Sequence, residues 1–69
     1  MDTIKFLREN MMRDIKAQGM TEINALRGVD YAMLQWSKLS GSRNAYRDMV
    51  NAAGGRAASA QGKKWRMIK

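Results

Sequence analysis

The sequence predicts an all-α domain, and three observations support this fold class. Apolar residues recur at intervals of three and four along most of the first 53 residues, which is the spacing of one face of an α-helix. A residue able to cap a helix precedes each of these segments, and a glycine follows each one. We therefore expect a small domain of four helices over residues 1–53, followed by a basic C-terminal tail over residues 54–69.

The first predicted helix covers residues 3–17. Its apolar face is formed by Ile4, Leu7, Met11 and Ile15. Asp2 or Thr3 can cap the N-terminus, because a short polar side chain accepts a hydrogen bond from the free N–H groups of the first turn. Gly19 is suited to end the helix, since glycine adopts the left-handed conformation without steric strain.

Two shorter helices are predicted on either side of Gly28. Thr21 can cap a helix over residues 21–27, and Asp30 can cap the next one over residues 31–39. Gly28 lets the chain turn between them without a side-chain clash. This order of short helix, turn and helix is that of a helix-turn-helix motif.

The fourth predicted helix begins after Ser42, which can cap it, and ends at Gly54 and Gly55. The tail beyond it carries five basic residues and no acidic one, whereas the preceding part of the chain contains eight basic and six acidic residues. We expect the tail to be flexible or extended and to act as a cationic arm. In the alternative, Trp65 and Ile68 pack into the core or into a dimer interface.

The composition argues against catalysis and membrane insertion. The 69 residues include no cysteine and no histidine, so a thiolate site and the commonest general base are both missing. We therefore expect no enzymatic activity, no metal and no cofactor. The longest apolar runs have three or four residues, against roughly 18 for a membrane span. The N-terminus also lacks the pattern of a secretory signal, so we expect a cytoplasmic protein with no membrane partner.

Two short motifs flank the predicted third helix. Gly28-Val29-Asp30 precedes it, and Ser40-Gly41-Ser42-Arg43-Asn44 follows it. With these motifs, residues 19–53 resemble the phage repressor and Cro-like helix-turn-helix regulators. The resemblance implies that a recognition helix over residues 30–38 contacts DNA bases and that the following loop contacts phosphates through Ser42, Arg43 and Asn44. It also implies a closing helix over residues 45–53.

The residues predicted to contact DNA lie in the third helix, in the loop after it and in the tail. Gln35 lies on the outward side of the third helix and can bond adenine through two hydrogen bonds. Arg43 and Arg47 flank the loop and suit phosphate contacts, and the tail cations can follow the phosphate backbone with Trp65 as an anchor. The full predicted set is Tyr31, Gln35, Lys38, Ser42, Arg43, Asn44, Arg47, Lys63, Lys64 and Arg66.

A net charge of +7 and a pI near 10.4 indicate an anionic partner, although solubility alone is a simpler explanation. We expect a sequence-specific regulator of transcription, of phage or mobile-element type, that binds double-stranded DNA. Because so small a domain makes few base contacts, we expect a homodimer on a two-fold operator. The alternatives are a basic inhibitor or adaptor that binds a host protein through Trp65, Met67 and Ile68, and an RNA-binding module.

Overall fold

Four helical segments form the fold in the computed structural model: α1 (Thr3–Ala17), α2 (Glu22–Leu34), the single-turn α3 (Trp36–Leu39) and α4 (Ala45–Gln61). The structure describes residues 3–39, 41 and 43–69, and no strand occurs among them. The predicted all-α class is therefore confirmed. The three long helices differ from the predicted ones in two places, both at glycines.

The first helix, α1, has the predicted bounds. It ends where Gly19 adopts a φ of 91°, and the N–H of Gly19 donates to the carbonyl of Lys16 at 2.9 Å. Met11 and Ile15, two members of its predicted apolar face, are fully buried. The predicted cap Asp2 lies outside the described residues. Local spacing and the terminating glycine thus predicted this element correctly.

The second helix, α2, runs through Gly28 without a turn, so the helix-turn-helix predicted there is wrong. Thr21 caps the helix as expected, since its hydroxyl accepts a hydrogen bond from the N–H of Asn24 at 3.4 Å. Asp30, the other predicted cap, lies inside α2 and instead forms an ion pair with Arg8 of α1. The chain therefore contains one helix of 13 residues where two short ones were expected.

Gly28 is needed for packing between helices. A Cβ atom at this position would lie 2.2 Å from the carbonyl oxygen of Ala53 and 3.2 Å from the Cβ of Ala57, both on α4. The absent side chain therefore allows α2 and α4 to approach each other closely. Small and apolar residues dominate the buried surfaces of the two helices: Ala25, Gly28, Val29 and Ala32 on α2, and Met49, Val50, Ala53, Gly54, Ala57 and Ala58 on α4.

The last helix, α4, does not end at Gly54 and Gly55 but continues to Gln61, which corrects the second glycine prediction. It ends where Gly62 adopts a φ of 73°. The N–H of Lys63 donates to the carbonyl of Ala58 at 2.8 Å, which is the outer hydrogen bond of a Schellman motif. At the other end Asn44 occupies the cap position without a side-chain bond, and the predicted cap Ser42 lies outside the described residues.

Gln61 connects the end of α4 to the turn between α1 and α2. Its side-chain Oε1 accepts from the backbone N–H of Thr21 at 2.8 Å and from the side-chain Nδ2 of Asn24 at 3.1 Å. Its side-chain Nε2 donates to the carbonyl of Gly19 at 3.1 Å. The long-range bonds of one side chain thus satisfy polar groups at the chain reversal. They fix the turn against the end of α4.

Replacing Gly28 with alanine should lower the free energy of unfolding by about 1–3 kcal/mol, because the new methyl group overlaps the backbone of α4. Gly55→Ala is the matched control, since nothing lies within 4 Å of a Cβ at Gly55. In a helix interior that substitution should raise the free energy of unfolding by about 0.4–1 kcal/mol. Urea unfolding measures both values, and equal effects of the two substitutions would contradict the close approach at Gly28.

The hydroxyl of Tyr46 on α4 donates to the carboxylate of Asp14 on α1. Burial, and then this carboxylate, raise the pKa of Tyr46 above its ordinary value. The unfolded chain loses the phenol proton near pH 10, while the folded chain retains it to higher pH. Stability should therefore decrease as the pH rises above about 10, and Tyr46→Phe should remove this part of the decrease. Urea unfolding of the unaltered protein and of Tyr46→Phe between pH 9 and 11, in steps of about 0.5 pH units, tests this difference in the pH dependence of stability.

Candidate nucleic-acid interface

Residues 63–69, here called the C-terminal strip, pack against the helices although they form no regular element. The strip follows the reversal at Gly62 and contacts α4 at Asn51 and Gly54. Trp65 and Ile68 pack against the buried core. Two side-chain amides and one glycine hold this segment in place.

Asn51 on α4 binds the strip at two residues. The side-chain Oδ1 of Asn51 accepts from the indole N–H of Trp65 at 3.0 Å and from the backbone N–H of Ile68 at 2.8 Å. The side-chain Nδ2 donates to the carbonyl of Ile68 at 2.9 Å. Only 9% of Asn51 is exposed, so these bonds replace water for a buried polar group. Asn51 therefore holds both the Trp65 ring and the backbone at Ile68.

Gln18, next to the end of α1, binds the strip between these two points. Its side-chain Oε1 accepts from the backbone N–H of Arg66 at 2.9 Å, and its side-chain Nε2 donates to the carbonyl of Arg66 at 2.9 Å. The two amides thus hold the backbone at alternate residues, 66 and 68. A segment held in this way keeps the Cα atoms that bear its side chains at defined positions.

Gly54 provides the surface on which the Trp65 ring lies. A Cβ at Gly54 would lie 2.3–2.4 Å from three carbon atoms of the indole, so any side chain there would displace the ring. The predicted flexible tail is therefore wrong for residues 54–61, which are helical, while the strip has the core contacts of the alternative prediction. Trp65 anchors the strip to its own core.

All charged side chains of the strip are basic. Ion pairs among the described residues join Arg8 to Asp30, Arg13 to Asp14, Lys16 to Glu22, and Arg47 to Asp48. No acidic residue follows Asp48 in the sequence. Lys64, Arg66 and Lys69 are exposed, and none of them forms an ion pair with a described residue. The strip therefore presents cations that form no ion pair with the acidic side chains of the described residues.

Lys63 differs from the other cations of the strip because its ammonium group donates to the carbonyl of Gly19 at 3.2 Å. It lies at the chain reversal beside the turn between α1 and α2. Among the predicted tail contacts, Lys64 and Arg66 are thus the two whose side chains extend into solvent, and Lys63 has a structural bond as well as a charge.

The predicted base-contacting residues do not share a recognition helix. Gln35 caps the end of α2, where its N–H donates to Ala32, and its side chain is half-buried. Tyr31 lies on α2 with the guanidinium of Arg56 5.1 Å from its ring centroid. Lys38 lies exposed on α3. Gln35 is therefore partly exposed and lies at the end of α2, not on a separate recognition helix.

The predicted loop contacts lie near the start of α4. Arg43 and Asn44 are exposed, whereas Arg47 is half-buried and 3.5 Å from the carboxylate of Asp48. Ser42 lies outside the described residues. Arg43 and Asn44 are thus the more exposed described members of this group, and the ion pair with Asp48 offsets part of the charge of Arg47.

Sequence reasoning missed the residues that position the strip. Asn51 and Gly54 stand three residues apart on α4, which places them on one side of a helix. That spacing is visible in the sequence, but nothing local relates it to Trp65. Arg56, which stacks on Tyr31, was also missed because it was assigned to the tail and not to a helix.

No group of three or more metal-ligating side chains occurs among the described residues. The described helices also include none with the length and apolar character needed to cross a membrane. Comparison with known proteins gives no match to a family model, a curated protein or a solved structure.

Gly54→Ala should displace the Trp65 ring and free the strip, because the new methyl group occupies the space of the indole. In a Trp36→Phe background, Trp65 is the one remaining tryptophan. Its emission should shift to longer wavelength and become easier to quench with acrylamide. Gly55→Ala in the same background should leave the emission unchanged. Unaltered emission in Gly54→Ala would contradict the packing of the ring on this glycine.

Proposed function

We propose that this protein binds double-stranded DNA by contacting the phosphate backbone through the C-terminal strip. The observation that carries the proposal is the exposure of Lys64, Arg66 and Lys69 on a backbone held by Gln18 and Asn51. Phosphate contacts by Lys and Arg release condensed counterions, which supplies most of the sequence-independent affinity for DNA. An acid-free strip favours this mode of binding.

The fixed backbone of the strip supports tight contact for an entropic reason. A disordered cationic arm loses conformational freedom when it binds, and that loss lowers its affinity. Residues 66 and 68 are already bound by side-chain amides before any ligand arrives. Only the side chains of the cations then need to be ordered on DNA.

Packing of the strip favours a duplex over single-stranded RNA. Proteins recognise single strands largely by stacking unpaired bases on exposed aromatic rings. Trp65, the aromatic residue among the cations of the strip, lies on Gly54 and donates its N–H to Asn51. Its ring is therefore occupied, while the cations beside it remain available for phosphates.

Sequence-specific regulation of transcription is a secondary part of this proposal, because it requires base contacts in addition to phosphate contacts. Gln35 is half-buried at the end of α2, so more exposed groups are better placed for base contacts. Lys38 on α3 and Arg43 and Asn44 before α4 have that exposure. Phosphate binding is the main activity we propose, and base recognition by these residues would add to it.

The adaptor alternative loses support from the same packing. It required Trp65, Met67 and Ile68 to contact a host protein. Trp65 and Ile68 pack against the core of this chain, and only Met67, 67% exposed, extends into solvent. A partner could bind through all three only after the strip had separated from α4.

Salt-dependent binding to a random-sequence DNA duplex tests the proposal. Lys64→Gln/Arg66→Gln should weaken binding at low salt and should reduce the slope of log K against log salt by about two, because each lost phosphate contact removes about 0.9. The control is Arg13→Gln/Lys16→Gln, which removes the same formal charge from α1, where each of the two cations pairs with a carboxylate. It should leave the slope near that of the unaltered protein.

Three outcomes would reject the proposal in different ways. Equal loss of slope in the two double variants would mean that net charge, and not the strip, governs binding. Tighter binding of single-stranded RNA than of duplex DNA would favour an RNA-binding module. No binding of either nucleic acid at about 50 mM salt would reject a nucleic-acid ligand altogether.

A further inference from the structure

The outward face of α2 carries a regular pattern that packing within the chain leaves uncovered. Ile23, Arg27, Asp30 and Leu34 follow one another at intervals of four, three and four residues, which is the a and d spacing of a helical seam. Ile23 is 60% exposed and Leu34 is 81% exposed. The buried residues of α2 lie on its other side. This seam therefore faces solvent along the whole helix.

We propose that the seam is a homodimer interface in which α2 packs against α2 of a second copy in antiparallel orientation. When two identical helices run in opposite directions, a residue before the two-fold axis lies opposite the residue that is equally far beyond the axis in the second copy. With the two-fold axis between Gly28 and Val29, Ile23 meets Leu34 of the second copy, and Arg27 meets Asp30. Each contact occurs twice, as a two-fold interface requires.

Charge complementarity favours a second copy of the chain as the partner that binds this face. The central layer of the seam pairs Arg27 with Asp30 of the other copy in both directions, and apolar pairs lie on both sides of it. A parallel arrangement would instead bring Arg27 against Arg27 and Asp30 against Asp30, which is unfavourable. The order of apolar, basic, acidic and apolar residues therefore selects the antiparallel register.

Interactions within the chain are compatible with this arrangement. Asp30 pairs with Arg8 of its own α1, and no ion pair among the described residues includes Arg27. In the dimer Asp30 would lie between Arg8 and Arg27 of the other copy. Leu26, 43% exposed, and Tyr31, 38% exposed, lie on opposite edges of the seam, where they widen the contact.

The interface goes beyond the proposed DNA binding and does not depend on it. The seam lies on α2, whereas the proposed phosphate contacts lie on the C-terminal strip, and the two sets share no residue. Either proposal can therefore fail alone. If both hold, a dimer presents two strips related by the two-fold axis, which would increase affinity for a duplex through multivalency.

A charge-exchange experiment tests the central layer. Arg27→Asp places two acids at each central contact of a homodimer, and Asp30→Arg places two bases there. Sedimentation at concentrations up to about 1 mM should show that each variant associates at least tenfold more weakly than the unaltered protein. An equimolar mixture of the two variants should recover association, because both contacts then join opposite charges. Thermal melts should show that each variant remains folded.

Engineered cysteines test the register, and the absence of native cysteine makes this assay free of competing thiols. Ile23→Cys mixed with Leu34→Cys should give a disulfide-linked dimer under mild oxidation, because these positions face each other across the two-fold axis. Ile23→Cys alone should give little, since its equivalents lie at opposite ends of the seam. Predominant linkage of Ile23→Cys to itself would overturn the antiparallel arrangement.

A further pair of variants keeps the interface testable if the charge variants unfold. Leu34→Asp places a charge in an apolar layer and should abolish association, whereas Met67→Asp alters a similarly exposed residue outside α2 and should not. A monomeric unaltered protein at about 1 mM, or equal effects of these two substitutions, would overturn the proposal. Loss of association on Leu34→Asp alone would support it.

Discussion

The close contact between Gly28 of α2 and the backbone of Ala53 on α4 is the constraint on which the fold depends. A side chain at Gly28 would overlap the carbonyl of Ala53, so the two helix backbones lie nearer than larger residues allow. The buried residues around this point are mainly alanine, valine and methionine. A chain of 69 residues has little apolar surface to bury, and close helix approach uses that surface efficiently.

The central helix α4 packs against other elements on two sides. Ala53 contacts α2 beside Gly28, and the next residue, Gly54, contacts the indole of Trp65. Consecutive helical residues point about 100° apart, so the two contacts lie on different sides of the helix. Asn51 extends the second contact to Ile68. The same helix thus completes the core and holds the strip that we propose for phosphate binding.

Acidic and basic side chains are distributed unevenly along the chain. Four of the acids, Asp14, Glu22, Asp30 and Asp48, pair with cations of the first 48 residues. Exposed pairs of this kind contribute little to stability, but they offset charge locally. The strip has no acid with which to pair. The net charge of the chain is therefore concentrated on a segment that α4 and Gln18 fix in place.

Local sequence determined the fold class, the bounds of α1, the cap at Thr21 and the acid-free end of the chain. Each depends on neighbouring residues: apolar spacing, a capping hydroxyl, a terminating glycine or a count of charges. These features required no knowledge of distant contacts. The exposed seam of α2 was present in the same spacing, but the seam could be recognised only once α2 was known to continue through Gly28.

Only the tertiary structure decided which glycines end helices. Glycine in a helix interior costs about 1 kcal/mol relative to alanine, and distant contacts can exceed that amount. At Gly28 and Gly54 the missing side chain admits the α4 backbone and the Trp65 ring, so the helices continue. At Gly19 and Gly62 the backbone has a positive φ, and the helices end. The residue type is the same at all four positions, but the backbone of α4 or an indole ring lies against the two interior glycines, whereas a left-handed backbone marks the two terminal ones.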